Sequence, residues 1–126
     1  MKAFEVPDLD PQPRDASGHG YIDFLASDLL SCGLAIWPQG VTDHQQPHDE
    51  DEVYYVIEGS GKIRVGDEVR AVKPGSLVFV EARLEHRFFD IESDLRVLVF
   101  WAPPHRKELE VDSATPTEMR RRQGRG

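Results

Sequence analysis

Residues 40–59 read Gly40-Val-Thr-Asp-His44-Gln-Gln46-Pro-His48-Asp-Glu-Asp-Glu52-Val-Tyr-Tyr-Val-Ile-Glu-Gly59. They set His48 and Glu52, with Gln46 and His44 nearby, at the entrance of a β-type run, Val-Tyr-Tyr-Val-Ile. Working outward, a second histidine, His86, follows the Pro74-Gly75 turn and an apolar run. The two segments are far apart in the chain. They meet on one ion only if a β-barrel folds one over the other.

The residue types suit that meeting. Neutral imidazoles from His48 and His86 with a hard carboxylate oxygen from Glu52 form a two-histidine-one-carboxylate donor set, the kind that leaves open positions on a divalent ion. Gln46 adds a neutral amide oxygen, and its parity matches His48. His44 is the alternative fourth donor. A Glu beside Val-Tyr-Tyr-Val needs an ion or a partner, because an unpaired buried carboxylate costs several kcal/mol.

Bulk properties permit such a fold. The chain has 126 residues, 39% hydrophobic and 30% charged, which fits one soluble domain with an ordinary core. No apolar run approaches the roughly 20 residues of a membrane helix, and the N-terminus carries no secretory signal pattern. The single cysteine, Cys32, has no internal partner for a disulfide and reads as a small buried hydrophobe. The sequence therefore predicts a cytoplasmic protein without a membrane partner. Its net charge is −8, and residues 1–105 carry 9 Lys and Arg against 19 Asp and Glu. That acidic body lacks the clustered cations that nucleic-acid binding requires. Arg120-Arg121-Arg122 reads as a solvated tail.

Residues 1–20, rich in proline and glycine, predict an extended lead-in; residues 21–104 form the domain; residues 105–126 are peripheral and flexible, with Glu108 to Met119 a short helix or irregular. Within the domain, β-type runs cover Tyr21–Leu25, Leu29–Trp37, Val53–Ile57, Lys62–Val65, Val69–Val72, Ser76–Val80, His86–Ile91 and Leu95–Trp101. Turns are expected at Gly59–Gly61, at the hairpin Gly66-Asp67, and at Glu92–Asp94. Short strands without amphipathic helices between them predict an all-β sandwich or barrel. Several runs are apolar on both parities, so the outer face also needs cover, and a homodimer is the expectation.

Period-two alternation places Tyr54 and Val56 on the same face as Glu52, and puts His86, Phe88 and Asp90 on one face of their own strand. Tyr54, Phe88 and Phe100 are the expected aromatic lining of a small-molecule pocket. Glu52 and Tyr54 are the candidates for moving protons. His19 and His105 read as surface residues.

Residues 30–103 resemble the cupin superfamily. Its first motif, Gly-x5-His-x-His-x3–4-Glu-x6-Gly, aligns with Gly40, Gln46, His48, Glu52 and Gly59, with Gln46 replacing the first histidine. Its second, Gly-x5-Pro-x-Gly-x2-His-x3-Asn, aligns with Gly75, Glu81, Arg83, His86 and Asp90. The resemblance implies a single-domain jelly-roll β-barrel, often dimeric, with one divalent ion (iron, manganese, zinc, nickel or copper) on Gln46, His48, Glu52 and His86. The phosphomannose isomerase branch is similar in its Gln-x-His ligation. It also implies a small-molecule ligand. Two functional classes follow: a metal-dependent oxygenase or isomerase acting on a small oxygenated molecule, or a non-catalytic metal- or ligand-binding sensor or pathway accessory.

Overall fold

The structure, a computed structural model, describes residues 1–43 and 45–105. It is all-β apart from a 3-10 turn at Val6–Asp8. The strands are β1 (Gly20–Ala26), β2 (Ser31–Trp37), β3 (Asp51–Val65), β4 (Glu68–Val72), β5 (Leu77–Val80) and β6 (His86–Ala102). All pairings between them are antiparallel.

Two strands dominate. β3 and β6 are each continuous where the sequence predicts two runs with a turn between. The expected turns at Gly59–Gly61 and Glu92–Asp94 are instead a bend in a two-stranded ribbon. The β3–β6 register slips three times, between Val56 and Lys62, which is how bulges curve a ladder without ending it. Gly59 has φ +90°, and a Cβ there would lie 2.1 Å from the Asp94 carbonyl oxygen. Only a glycine allows both that backbone conformation and that approach.

The bend makes the barrel. Before it, β3 pairs with β5 on one side and with the C-terminal half of β6 on the other; after it, β3 pairs with β4 and the N-terminal half of β6. With β2 on β6 and β1 on β2, the result is a two-sheet jelly roll whose long strands belong to both sheets. Its interior holds Tyr54, Val56, Phe88, Leu95, Val97 and Val99, all essentially inaccessible. The Gly66-Asp67 hairpin forms as the sequence predicts.

Alternation holds along β3, where Glu52, Tyr54 and Val56 are buried. It fails in β6 at the bend. Asp90, expected to share a face with His86 and Phe88, has φ +46°, is exposed beside Lys62 at 3.4 Å, and leaves Ile91 to take the buried position. A second correction concerns Phe100. Val99 and Trp101 point inward, so Phe100 points outward, 40% exposed, and does not line the pocket. On the outer face it adjoins Val53, which in turn pairs with Phe79; Tyr55, Leu77 and Phe79 are exposed there too. Cys32 is buried, as expected, and burial, followed by the charge of Asp23, pushes its thiol up to about 11.

The N-terminal segment wraps this frame. The carbonyls of Val6 and Leu9 accept hydrogen bonds from the Arg96 guanidinium, Phe4 packs on Phe24, and Pro13 bridges to Gly20. The residues 106–126, including the tail arginines and the Glu108–Met119 segment, lie outside the described residues, as does His44. No helix among the described residues is long and apolar enough to cross a membrane.

Gly59→Ala should destabilise the fold by upwards of about 2 kcal/mol, because it adds left-handed strain to a backbone collision. Chemical denaturation of the variant checks this; a midpoint equal to the wild type would mean that the corner yields.

Candidate metal centre

The bent ribbon brings residues from its opposite ends together. Glu52, near the start of β3, is in register with Trp101, whereas His86, at the start of β6, is in register with Val65. Yet His86 Nε2 lies 3.1 Å from Glu52 Oε1, with both side chains almost fully buried at 2% and 1% exposure. His48 completes a cluster in which one ligand atom from each residue lies within 4.8 Å of the others.

Hydrogen bonding fixes the chemistry of this contact. His86 Nδ1 is 2.8 Å from the Leu84 carbonyl, which can only accept, so Nδ1 carries a proton and donates it. In a neutral imidazole that leaves Nε2 as a lone pair aimed at a carboxylate. Beyond one another and the neighbouring Tyr54 hydroxyl, Nε2 and the Glu52 oxygens have no hydrogen-bond partner. Buried electron pairs facing one another are unfavourable without a positive charge between them. The donors therefore fit a cation, and the Leu84 carbonyl acts as the outer partner that orients a ligating imidazole.

Ionisation points the same way. Burial pushes the Glu52 carboxyl above its ordinary range, and the opposing contact with His86 does not cancel this. Burial works against the charged form of His86, but its contacts with Glu52 and the Leu84 carbonyl prevail and raise its pKa. Without an ion, the pair retains a proton where a cation would sit.

His48 arrives on an irregular segment anchored by Asp43. The buried Asp43 carboxylate accepts from the backbone N–H of Phe88 at 3.0 Å and of Gln45 at 3.1 Å, and from the Gln45 amide at 2.8 Å. The same amide nitrogen also donates to the Tyr54 hydroxyl at 3.1 Å, and the amide oxygen lies 3.4 Å from His48 Nε2 and from that hydroxyl. Gln45, not Gln46, is thus the amide that reaches the cluster; Gln46 is exposed at the rim. The parity that favours Gln46 in the sequence applies only to a strand, and residues 41–50 are not one.

A cavity of about 630 Å³ opens over His48, Glu52 and Tyr54. Tyr54 is fully buried, and desolvation, followed by the charge of Glu52, raises its pKa well above the ordinary value. Its hydroxyl is a hydrogen-bond donor rather than a base. Phe88 packs beneath, against Trp37 and Tyr54, and is not part of the lining. The histidines expected at the surface prove to be walls. His105 stacks on Trp101 with ring centroids 4.0 Å apart, and His19 stacks on Trp37 at 5.0 Å; all four line the cavity. Glu50 stands 3.9 Å from His105 Nδ1. Burial pushes the Glu50 carboxyl up, but the contact with His105 and the charges of His105 and His48 bring it below the ordinary range. These wall residues carry no spacing signal, since they come from three separate stretches of chain.

Comparison with known proteins agrees with this architecture. Residues 34–103 match the family model described as a cupin domain. An uncharacterized protein of Streptomyces coelicolor is 44% identical over 104 residues, covering 82% of this chain and 98% of its own. Among solved structures, KdgF from a Halomonas species superposes with a TM-score of 0.75 at 18% identity, over 86% of this chain and 98% of that one. An RmlC-like cupin from Shewanella frigidimarina gives 0.73 at 15% identity, over 86% and 96%.

Removing the charge at the cluster should stabilise the ion-free protein. A pKa raised on folding means stability is fully present below the unfolded value of about 4.5 and is lost as pH rises through the folded value. Glu52→Gln lacks that loss and gives His86 Nε2 a donor. Ion-free Glu52→Gln should gain about 1 kcal/mol at pH 7 and little at pH 4, read from thermal melts at both pH values.

Proposed function

This chain belongs to the cupin family, and on that premise we propose that it is a metal-dependent enzyme of oxygenase or isomerase type acting on a small oxygenated organic molecule. The supporting observation is the convergence of His48, Glu52 and His86 within 4.8 Å, with Glu52 and His86 Nε2 buried against each other. Those three residues hold the ion in this reading. The Gln45 amide oxygen is the nearest neutral donor, in the role the sequence predicts for Gln46.

A divalent ion on such a donor set supplies Lewis acidity toward a carbonyl or hydroxyl oxygen and, when it is iron, access to dioxygen. The remaining work falls to the chain. Tyr54 keeps its proton and donates to an oxygen of the bound molecule. Asp43, through Gln45, holds the segment that carries His48. The aromatic walls exclude bulk water and strengthen each polar contact inside. The same proposal includes a homodimer formed through the outer face of Tyr55, Leu77, Phe79 and Phe100. That patch is aromatic and uncharged, like the core of a homodimer interface.

Metal analysis of purified protein is the first test. His86→Ala should weaken metal retention by more than about tenfold with the fold intact by circular dichroism, and Gln45→Ala should weaken it more than Gln46→Ala does. Unchanged stoichiometry in His86→Ala removes the centre. The ferrous form should then consume oxygen with one of a panel of phenols, diketones or thiols. Tight ligand binding without turnover under iron, manganese, nickel or zinc would assign the chain to the non-catalytic class. Phe79→Glu should shift sedimentation from dimer to monomer; a wild type that sediments as a monomer rules out the dimer.

A further inference from the structure

We infer that His19 and His105 form, with Trp37 and Trp101, a collar of flat walls in the cavity, its Trp101–His105 pair beside the His48 ring, that selects flat, π-conjugated ligands over puckered saturated ones. The inference rests on the metal-centre reading only in placing a chelating end of the ligand at the cavity floor.

The collar is built from two parallel ring pairs. His19 lies on Trp37 with an interplanar angle of 11°, and His105 lies on Trp101 with one of 14°. Tyr21 stands beside the second pair, edge-on to His105. Its hydroxyl accepts from Trp101 Nε1 at 2.8 Å and donates to Asp23 at 2.5 Å, while the Arg14 guanidinium covers its ring at 5.1 Å. The cavity is therefore walled by planes whose orientations are already set.

Each imidazole is held by its parallel stack on a buried indole, and the backbone beside it is anchored. The His105 N–H donates to Ser31 Oγ at 2.8 Å, and its ring is held near Glu50. The His19 carbonyl accepts from the Arg14 N–H at 2.7 Å, closing a loop that the Pro13–Gly20 bridge completes. Side chains held this way lose little freedom when a ligand arrives, so flat surfaces persist instead of remoulding around it. Rigid planes reward a planar ring through offset or edge contacts. A chair-shaped ring touches them at only a few hydrogens. A sugar platform, by contrast, offers an open indole face, and here each indole already carries an imidazole parallel to it. His19, Tyr21 and His105 lie outside the family-matched residues 34–103, whereas the two indoles they stand against lie within them.

The test uses probe pairs of matched ring size and substituents that differ in planarity and π-conjugation, with the histidine variants separating the collar's part from the probes' own differences. With zinc-loaded protein, salicylate should bind at least about tenfold more tightly than cis-2-hydroxycyclohexanecarboxylate by calorimetry, after correction for the affinity of each for free zinc. In ion-free protein, phenol should outbind cyclohexanol at least about threefold by NMR titration. The double variant His19→Ala/His105→Ala should bring both ratios below about twofold, and His19→Phe/His105→Phe, which restores flat rings, should recover them. Equal affinity for the two shapes in the wild type, preference for the saturated probe, or ratios unchanged in the alanine variant would overturn the collar. A protein that retains no zinc defeats the metal reading and silences only the first pair of probes; phenol and cyclohexanol still decide the inference.

Discussion

One antiparallel ribbon, β3 against β6, sets everything else. Laid straight, the stretch from Glu52 to Val65 would span roughly 40 Å, and the register would hold Glu52 and His86 at opposite ends of it. The bend at Gly59 folds the ribbon back on itself, so its two ends face each other as the two sheets of the barrel. The 3.1 Å contact between Glu52 and His86 is the product of that fold-back. A local feature of a single glycine, its φ of +90° against the Asp94 carbonyl, thus determines whether two distant side chains share a site.

The cost of that site is carried in the core. Glu52 is among the most deeply buried side chains of the chain, and beyond one another and the Tyr54 hydroxyl neither its carboxylate nor the facing imidazole nitrogen has a hydrogen-bond partner. A cluster optimised for folding would place an aliphatic pair there. The retention of an acid and an imidazole, both of raised proton affinity, indicates a place arranged for positive charge. Asp43 shows the contrast: it is just as buried, yet three N–H groups satisfy it, and its role is to dock a loop.

How much was legible in advance divides along the same physical line. Where residues sit on strands, period-two alternation carries the reading: Glu52, Tyr54 and Val56 point inward, and the spacing of His48, Glu52 and His86 foretells their meeting. Where the chain leaves the ladder, alternation has nothing to act on. Gln46 shares parity with His48, but Gln45 is the residue turned inward, because Asp43 dictates the loop. The bulges at the corner likewise put Asp90 outside, whereas Phe100 points outward by plain alternation with the buried Val99 and Trp101. Arg83 and Asp90, standing where the family motif has Gly and Asn, two residue types that tolerate positive φ, have φ of 70° and 46°. The backbone there belongs to the fold, whatever side chain occupies it. His19 and His105 were unreadable for another reason, since stacking between remote rings leaves no periodic trace.

The position of those two histidines bears on how such proteins diversify. Glu52 and His86 stand on barrel strands, where any change disturbs packing, whereas the two wall histidines come from short stretches before β1 and after β6. A lineage can re-tailor those walls by editing those stretches while the strands stay untouched. Relatives that share the barrel and differ at their ends are therefore poor guides to each other's diet.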